Sequence, residues 1–351
     1  MVAPITESQQ EEGQIKDVDL SDQRFVDIDL SDLVFENVRL NNCIFERCGL
    51  SNVRFDYCDL SGVRVTGCVA EGLSLTNCGL ENSRFEDTDC QISGFDNVNM
   101  SGAIFKRCDF TGAQWDTCQL DRTELTDCVL DRGTIYRPFM TKCVWNYVSL
   151  IQANLLEAHP VACDFDHVDF SRCYIAKVAL PNQKFSHCTF DTTTFIECQL
   201  PKAMFQENVL NGTQFIQTNC AGSNFSGQKL SGLYFEDCDL KGCDFSKTQL
   251  NGFVLDRSAA EACSFAEAQI RDADFGGISL VATDFSRAQI ESSDLSHARL
   301  NDANFNGAHL RYVDLHAITE TNAIWSGCTK HDVDGTDEAL LSAENWVCKS
   351  I

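Results

Sequence analysis

Three cysteines fall close together in LNNCIFERCGLSNVRFDYCDLSG, at Cys43, Cys48 and Cys58. Thiolates at short spacing are zinc ligands or halves of disulfides, so the chain's 20 cysteines pose the first chemical question. A structural zinc centre needs four ligands converging on one point, usually as closely spaced Cys pairs, and no CxxC occurs here. In a long chain without a visible signal peptide, so many cysteines do not read as a disulfide framework either. All of them except Cys90 and Cys220 lie at positions ending in 3 or 8. A period that regular points to packing rather than to a reactive centre.

Other chemistry is thin. No Gly-rich phosphate loop, HExxH or GxSxG is present. His167 and His187 stand twenty residues apart with Glu207 a further twenty on, the composition of a two-histidine, one-carboxylate metal set. On a flat open surface such a set lacks the supporting hydrogen bonds that make a metal centre. The expectation is no metal, no cofactor and no enzyme.

The totals narrow the partners. Net charge is −25, which repels DNA, RNA and anionic membranes. Direct nucleic-acid binding and membrane insertion are therefore not expected. The N-terminus MVAPITESQQEEGQ has neither a basic nor an apolar signal region. That places the chain in the cytoplasm, with non-classical export left open.

The pattern that must position any site is a repeat of five. Leu20, Phe25, Leu30, Phe35, Leu40 and Phe45 begin a series that runs on to Leu295, Leu300, Phe305, Leu310 and Leu315. Every multiple of five from Ile15 to Leu315 is apolar except Pro160, with no insertion. Two residues earlier runs a series of small or medium residues, among them Val38, Cys43, Cys48, Val53, Ala298, Ala303 and Ala308. A period of five is neither helical nor a simple strand. It fits a chain in which residues i−2 and i point inward and the chain then turns. Four such units close a twenty-residue square coil, and coils stack by parallel hydrogen bonds at roughly 4.8 Å.

In SFAEAQIRDADF and TDFSRAQIESSDLSHARLNDANFNGAHL the sequence resembles the pentapeptide repeat family, whose motif is A(D/N)LXX. The resemblance covers about 300 of 351 residues; the N-terminal half uses Cys or Val where the family prefers Ala. It implies a right-handed quadrilateral parallel β-helix, an all-β solenoid of about 15 coils and roughly 70 Å at the β spacing. Phe at positions ending in 5 and Leu at those ending in 0 would occupy alternate faces. Every cysteine within the repeat then faces inward as a small hydrophobe. Cys48/Cys68, Cys58/Cys78, Cys108/Cys128, Cys143/Cys163 and Cys243/Cys263 would stack in neighbouring coils with side chains pointing the same way, so free thiols are expected. The seven histidines fall at outward positions or beyond the repeat.

The ends and one irregular stretch remain. Residues 1–13 read as a disordered polar tail, 14–325 as the β-helix and 326–351 as a C-terminal cap. The repeat fails at Glu320, partly recovers at Trp325 and is then lost. In TDEALLSAENWV (336–347), Thr336 precedes a short helix on which Leu340, Leu341, Ala343 and Trp346 share one side. Leu340, Leu341 and Trp346 would serve as a cap or a dimer contact, with a capped monomer preferred over a C-terminal homodimer. Within 131–160, Gly133, Pro138 and Pro160 occupy inward sites, and proline cannot donate a ladder hydrogen bond, so the coil should distort there. Tyr136, Phe139, Tyr147, Ile151 and Leu156 point outward in the same stretch, a candidate partner-binding patch if they do not pack on themselves. Tyr147, His167 and His187 form an outward ladder.

Function reads as a non-catalytic, acidic, rod-shaped scaffold for a protein partner. Some members of the family mimic B-DNA and bind DNA gyrase, which makes gyrase or topoisomerase binding the alternative that the resemblance implies. It also leaves a bacterial secretion-system component or effector as a third reading.

Overall fold

A computed structural model describes residues 13–346 of the chain. The tail read over 1–13 lies outside the described residues except for Gly13, as do residues 347–351. The chain divides into two compact units, residues 1–180 with 185–193, and residues 181–184 with 194–351. Both are parallel β-solenoids of the twenty-residue coil, about 16 turns in all, followed by one short helix.

In the first unit, three-residue strands from Gln14–Lys16 to Tyr174–Ala176 pair in parallel at a shift of twenty, with Ile15 opposite Phe35 and Ile135 opposite Leu155. A second series, Arg24–Val26 to Phe185–Ser186, forms a 9-stranded sheet. The two remaining sides are ladders of single bridges, such as Asp19 to Arg39 and Asp29 to Gly49. In the second unit, Thr194–Ile196, Gln214–Ile216, Tyr234–Glu236 and Val254–Asp256 pair on one side. A 6-stranded sheet from Lys229–Ser231 to Thr329–His331 forms another.

The corners explain the polar positions of the repeat. The second residue after each centre adopts a left-handed backbone, as at Asp22 (φ 61°), Asn52 (55°) and His167 (54°). Asn, Asp and Gly tolerate that region best. The Asp or Asn just before the centre accepts the backbone N–H of the residue just after it: Asp29 from Ser31 at 3.0 Å, Asp109 from Thr111 at 2.8 Å, Asp294 from Ser296 at 2.7 Å. This is an Asx turn, and it fixes the bend. The Ser31 hydrogen bonds hold the Asp29 carboxyl below its usual range. Much of the acidity is thus corner chemistry.

Ile92 breaks this rule. It is β-branched, 66% exposed and held at φ 58°. A left-handed conformation costs roughly 1–2 kcal/mol for such a residue. Ile92→Asn should raise stability by about 1 kcal/mol, read as a higher denaturant midpoint at unchanged slope. A lower midpoint would mean that the exposed Ile92 side chain contributes packing that outweighs its backbone strain.

Inside, the centre residues stack coil on coil. Phe205, Phe225, Phe245, Phe265, Phe285 and Phe305 form a column with ring centroids 4.8–5.1 Å apart, closed by Trp325 at 4.1 Å. The small residues two positions earlier do more than fill space. Ser223 Oγ donates to the Leu200 carbonyl (2.7 Å) and accepts from the Ala203 N–H (3.1 Å). Cys43 Sγ reaches the Leu20 carbonyl at 3.0 Å, and Thr283 Oγ1 the Ala260 carbonyl at 3.1 Å. Among the described residues every cysteine is a thiol, buried except for the half-exposed Cys328. Burial pushes the Cys43 thiol up to about 11 and the Cys173 thiol up to about 12. Neutral thiols of that kind are poor nucleophiles and poor metal ligands.

Three expectations need correction. The coil does not end at 325: Lys330 pairs with Leu310, and Asp334 bridges Asp314. Backbone pairing does not require an apolar centre, and the last coil has no further coil to bury it. Residues 131–160 stay in phase, with Thr134–Tyr136, Val144–Asn146 and Asn154–Leu156 as ordinary strands and Gly133 and Pro138 buried. The disturbance lies around 158–160, where the bridge ladder that reaches Phe139 from Gln119 stops and Thr141 pairs with Val161 beside it. The helix, α1 (Glu338–Glu344), is capped by Asp337 and buries none of its residues, so Leu340 and Leu341 do not seal the end of the coil.

Candidate partner-binding surface

The five outward residues of the irregular stretch do not form one patch. Tyr136 is half-buried at the end of its strand, in register with Leu156 one coil on, as the twenty-residue repeat requires. Phe139 follows around the next corner and is 63% exposed. These three share one corner of the first unit. Tyr147 follows Val144–Asn146, which belongs to the opposite sheet, and is exposed at the diagonal corner. Ile151 lies on the side between, half-buried, its N–H donated to Asp131 Oδ1 at 2.9 Å.

Around Phe139 the coil opens a groove of about 410 Å³ lined by Asp121, Arg137, Pro138, Met140, Glu157 and His159 as well as Phe139 itself. It sits where the ladder stops, next to Pro160 in sequence. Arg137 stacks over the Tyr136 ring (4.7 Å) and pairs with Glu157 at 2.6 Å, holding that carboxyl below its usual range. Val161, bridged to the lining residue Thr141, is 58% exposed. Sequence reasoning found Phe139 and Tyr136 but missed Arg137, Glu157 and His159, because a charged residue at an outward position carries no signal in so acidic a chain.

At the diagonal corner the expected ladder is present: Tyr147 stacks on His167 (centroids 4.5 Å) and His167 on His187 (4.7 Å). Both imidazole Nδ1 atoms face Asp166 Oδ1, at 3.0 and 3.2 Å. Slight burial raises the Asp166 carboxyl, and the hydrogen bonds from His187 and His167 outweigh it, leaving a net lowering.

At the C-terminal end Leu340 is half exposed and Trp346 73% exposed, while Leu341 is half-buried, so these residues do not build a packed cap. What holds α1 is His316, which was expected to point outward and is instead buried. Its Nδ1 accepts the Asp337 N–H at 3.1 Å, and its Nε2 faces Glu344 Oε2 at 3.2 Å.

The profile of the pentapeptide repeat region matches residues 11–85, 38–115 and 233–305. Those segments cover half of the chain, and the chain belongs to the pentapeptide repeat family. Among solved structures it is similar to HetL of the cyanobacterium Nostoc sp. strain PCC 7120, a pentapeptide repeat protein involved in heterocyst differentiation regulation (15% identity, 92% of this chain and 91% of that one, TM-score 0.21). It is also similar to a trypsin-treated form of QnrB1, a plasmid-mediated fluoroquinolone resistance protein (12% identity, 94% and 95% covered, TM-score 0.16). A third similar structure is Rfr23 of the cyanobacterium Cyanothece 51142 (15% identity, 34% and 88% covered, TM-score 0.17). Nothing among curated proteins matches the chain.

Proposed function

We propose that the protein is a non-catalytic scaffold that binds a protein partner through the groove beside Phe139, in the cytoplasm. The observation that carries this reading is a 63%-exposed Phe at the edge of a groove on a solenoid whose other large side chains are mostly interior. Aromatic anchors beside a pocket, ringed by a charged pair such as Arg137–Glu157, are what interface hot spots look like. Among the described residues the coils follow one another without a long loop from which a catalytic pocket could be built.

Affinity purification from the native cell, wild type against Phe139→Ala, tests the reading. Phe139 is surface-exposed, so the variant should fold normally. A partner held by wild type should be lost, with affinity down at least tenfold, about 1.4 kcal/mol. A partner retained at full strength by Phe139→Ala would remove the groove from the interface. If the retained protein were a gyrase or topoisomerase subunit, acidic mimicry of a duplex would replace the scaffold reading, and a supercoiling assay would register it.

A further inference from the structure

Two clusters of described residues bring metal-ligating atoms together: Asp166, His167 and His187, and His297, His316 and Glu344. Their hydrogen bonding separates them. In the second cluster, His316 Nδ1 accepts the Asp337 N–H, so that nitrogen carries a lone pair and the neutral ring carries its proton on Nε2, facing Glu344. A metal on Nε2 would require the proton to move to Nδ1, against the Asp337 N–H. That cluster is a latch for α1.

In the first cluster both histidine Nδ1 atoms face a carboxylate oxygen rather than a backbone N–H. His167 and His187 occupy equivalent corners of successive coils, at φ 54° and 55°, so their rings project in register. Both present Nδ1 to one oxygen of Asp166, at 3.0 and 3.2 Å, and all three donor atoms lie within 4.8 Å of one another. A tetrahedral ion with ligand bonds of about 2.1 Å wants donors about 3.4 Å apart, a shift these partly exposed side chains can make. Stacking on Tyr147 holds the His167 ring from its other face. A second observation points the same way. Asn146 pairs in register with Asp166 on the neighbouring coil, and its Oδ1 is buried without a hydrogen-bond donor. Beside a carboxylate, an acceptor without a donor adds uncompensated negative potential, which a bound cation would balance. The sequence reading set this ladder aside for want of supporting groups, and the strands supply Asp166 and Asn146.

We propose that Asp166 Oδ1, His167 Nδ1 and His187 Nδ1 form an open site for a borderline divalent transition ion of the Zn²⁺ or Ni²⁺ type, with its remaining positions taken by water. Two imidazoles and one carboxylate select such ions over Mg²⁺ and Ca²⁺, which take oxygen ligands. The site is a rigid surface with exchangeable positions, suited to a metal-bridged contact with a donor from another molecule.

Calorimetric titration of the full-length reduced protein with ZnCl2, and separately NiCl2, tests this. Asn tolerates the left-handed corner, so His167→Asn/His187→Asn should fold as wild type, checked by an unchanged denaturant midpoint. One ion per chain is expected to bind wild type, with affinity at least tenfold weaker in the double variant. The same weakening is expected in Asp166→Ala, no change in His316→Ala, and no competition from excess Mg²⁺. Equal affinity in wild type and the double variant would overturn the site, as would a loss caused by His316→Ala alone.

Discussion

Phe245→Ala is expected to cost the second unit roughly 3–5 kcal/mol, the range for removing a buried aromatic ring. The residue is fully buried, with Phe225 and Phe265 stacked on its two faces at 4.9 and 5.1 Å and Phe253 edge-on at 5.4 Å. No side chain in the column can relax into the gap, because each ring is fixed by a strand or bridge paired on both sides, as Asp244 is to Asn224 and Ser264. A solenoid is also quasi-one-dimensional: stability is a sum of repeat and neighbour terms, so a weak coil divides the stack. Denaturant unfolding should therefore show a lowered midpoint together with loss of a single cooperative transition, and hydrogen exchange should quicken first in the coils on either side of Phe245. A loss under about 1 kcal/mol with one sharp transition would show that the column collapses to refill the space.

The same one-dimensional logic locates function. Interior positions are set by packing, and corner positions by left-handed backbone and Asx turns. What remains free to vary is the outward side chain and the rare break in the ladder. Among the described residues of the first unit, the break near Pro160 and the register of Tyr147, His167 and His187 are two places where such freedom produces a concave or chemically competent surface. The net charge of −25 is a weaker guide, since Asp29, Asp59, Asp109 and their equivalents are already accounted for by the N–H groups they accept.

Much of the architecture was legible because a strict period of five leaves one solution: Phe25 must lie over Phe45, and Tyr147 over His167. What the period could not reveal depends on directions within a coil. Tyr136 and Tyr147 are eleven residues apart in sequence yet stand at diagonal corners, so proximity along the chain was a poor guide to a shared patch. Asp166 entered the histidine ladder because it precedes His167 at the end of a strand, and the twenty-residue rule, which suggested Glu207, is blind to such neighbours. His316 was read as exposed since its position in the coil faces outward; α1 covers it, and a cap lies outside the periodic signal. The roles of Ser223 and Thr283 as bridges between coils were hidden by their smallness, which alone satisfies the pattern.

Gly133 illustrates a requirement that spacing conceals, and it carries a second large expected effect. Its column reads Ala113, Gly133, Ala153 and Cys173, so a Cβ is tolerated one coil below and one coil above. At Gly133 itself an added Cβ would stand 2.9 Å from the Ala113 carbonyl oxygen and 3.1 Å from that of Leu130. Both are backbone atoms already in use: Ala113 O accepts the Thr134 N–H at 2.9 Å, and Leu130 O the Gly133 N–H at 3.1 Å. A side chain here cannot be absorbed by a rotamer change; it must displace the ladder. Gly133→Val is therefore expected to lose about 3 kcal/mol, the upper part of the usual overpacking range. Ala153→Gly, the opposite change in the same column, should lose no more than about 1 kcal/mol. Denaturant midpoints of the two variants decide the matter. If Gly133→Val were as stable as wild type, the coil would have widened around the new side chain, and the close approach of Gly133 to the Ala113 and Leu130 carbonyls would not be a fixed feature of the fold.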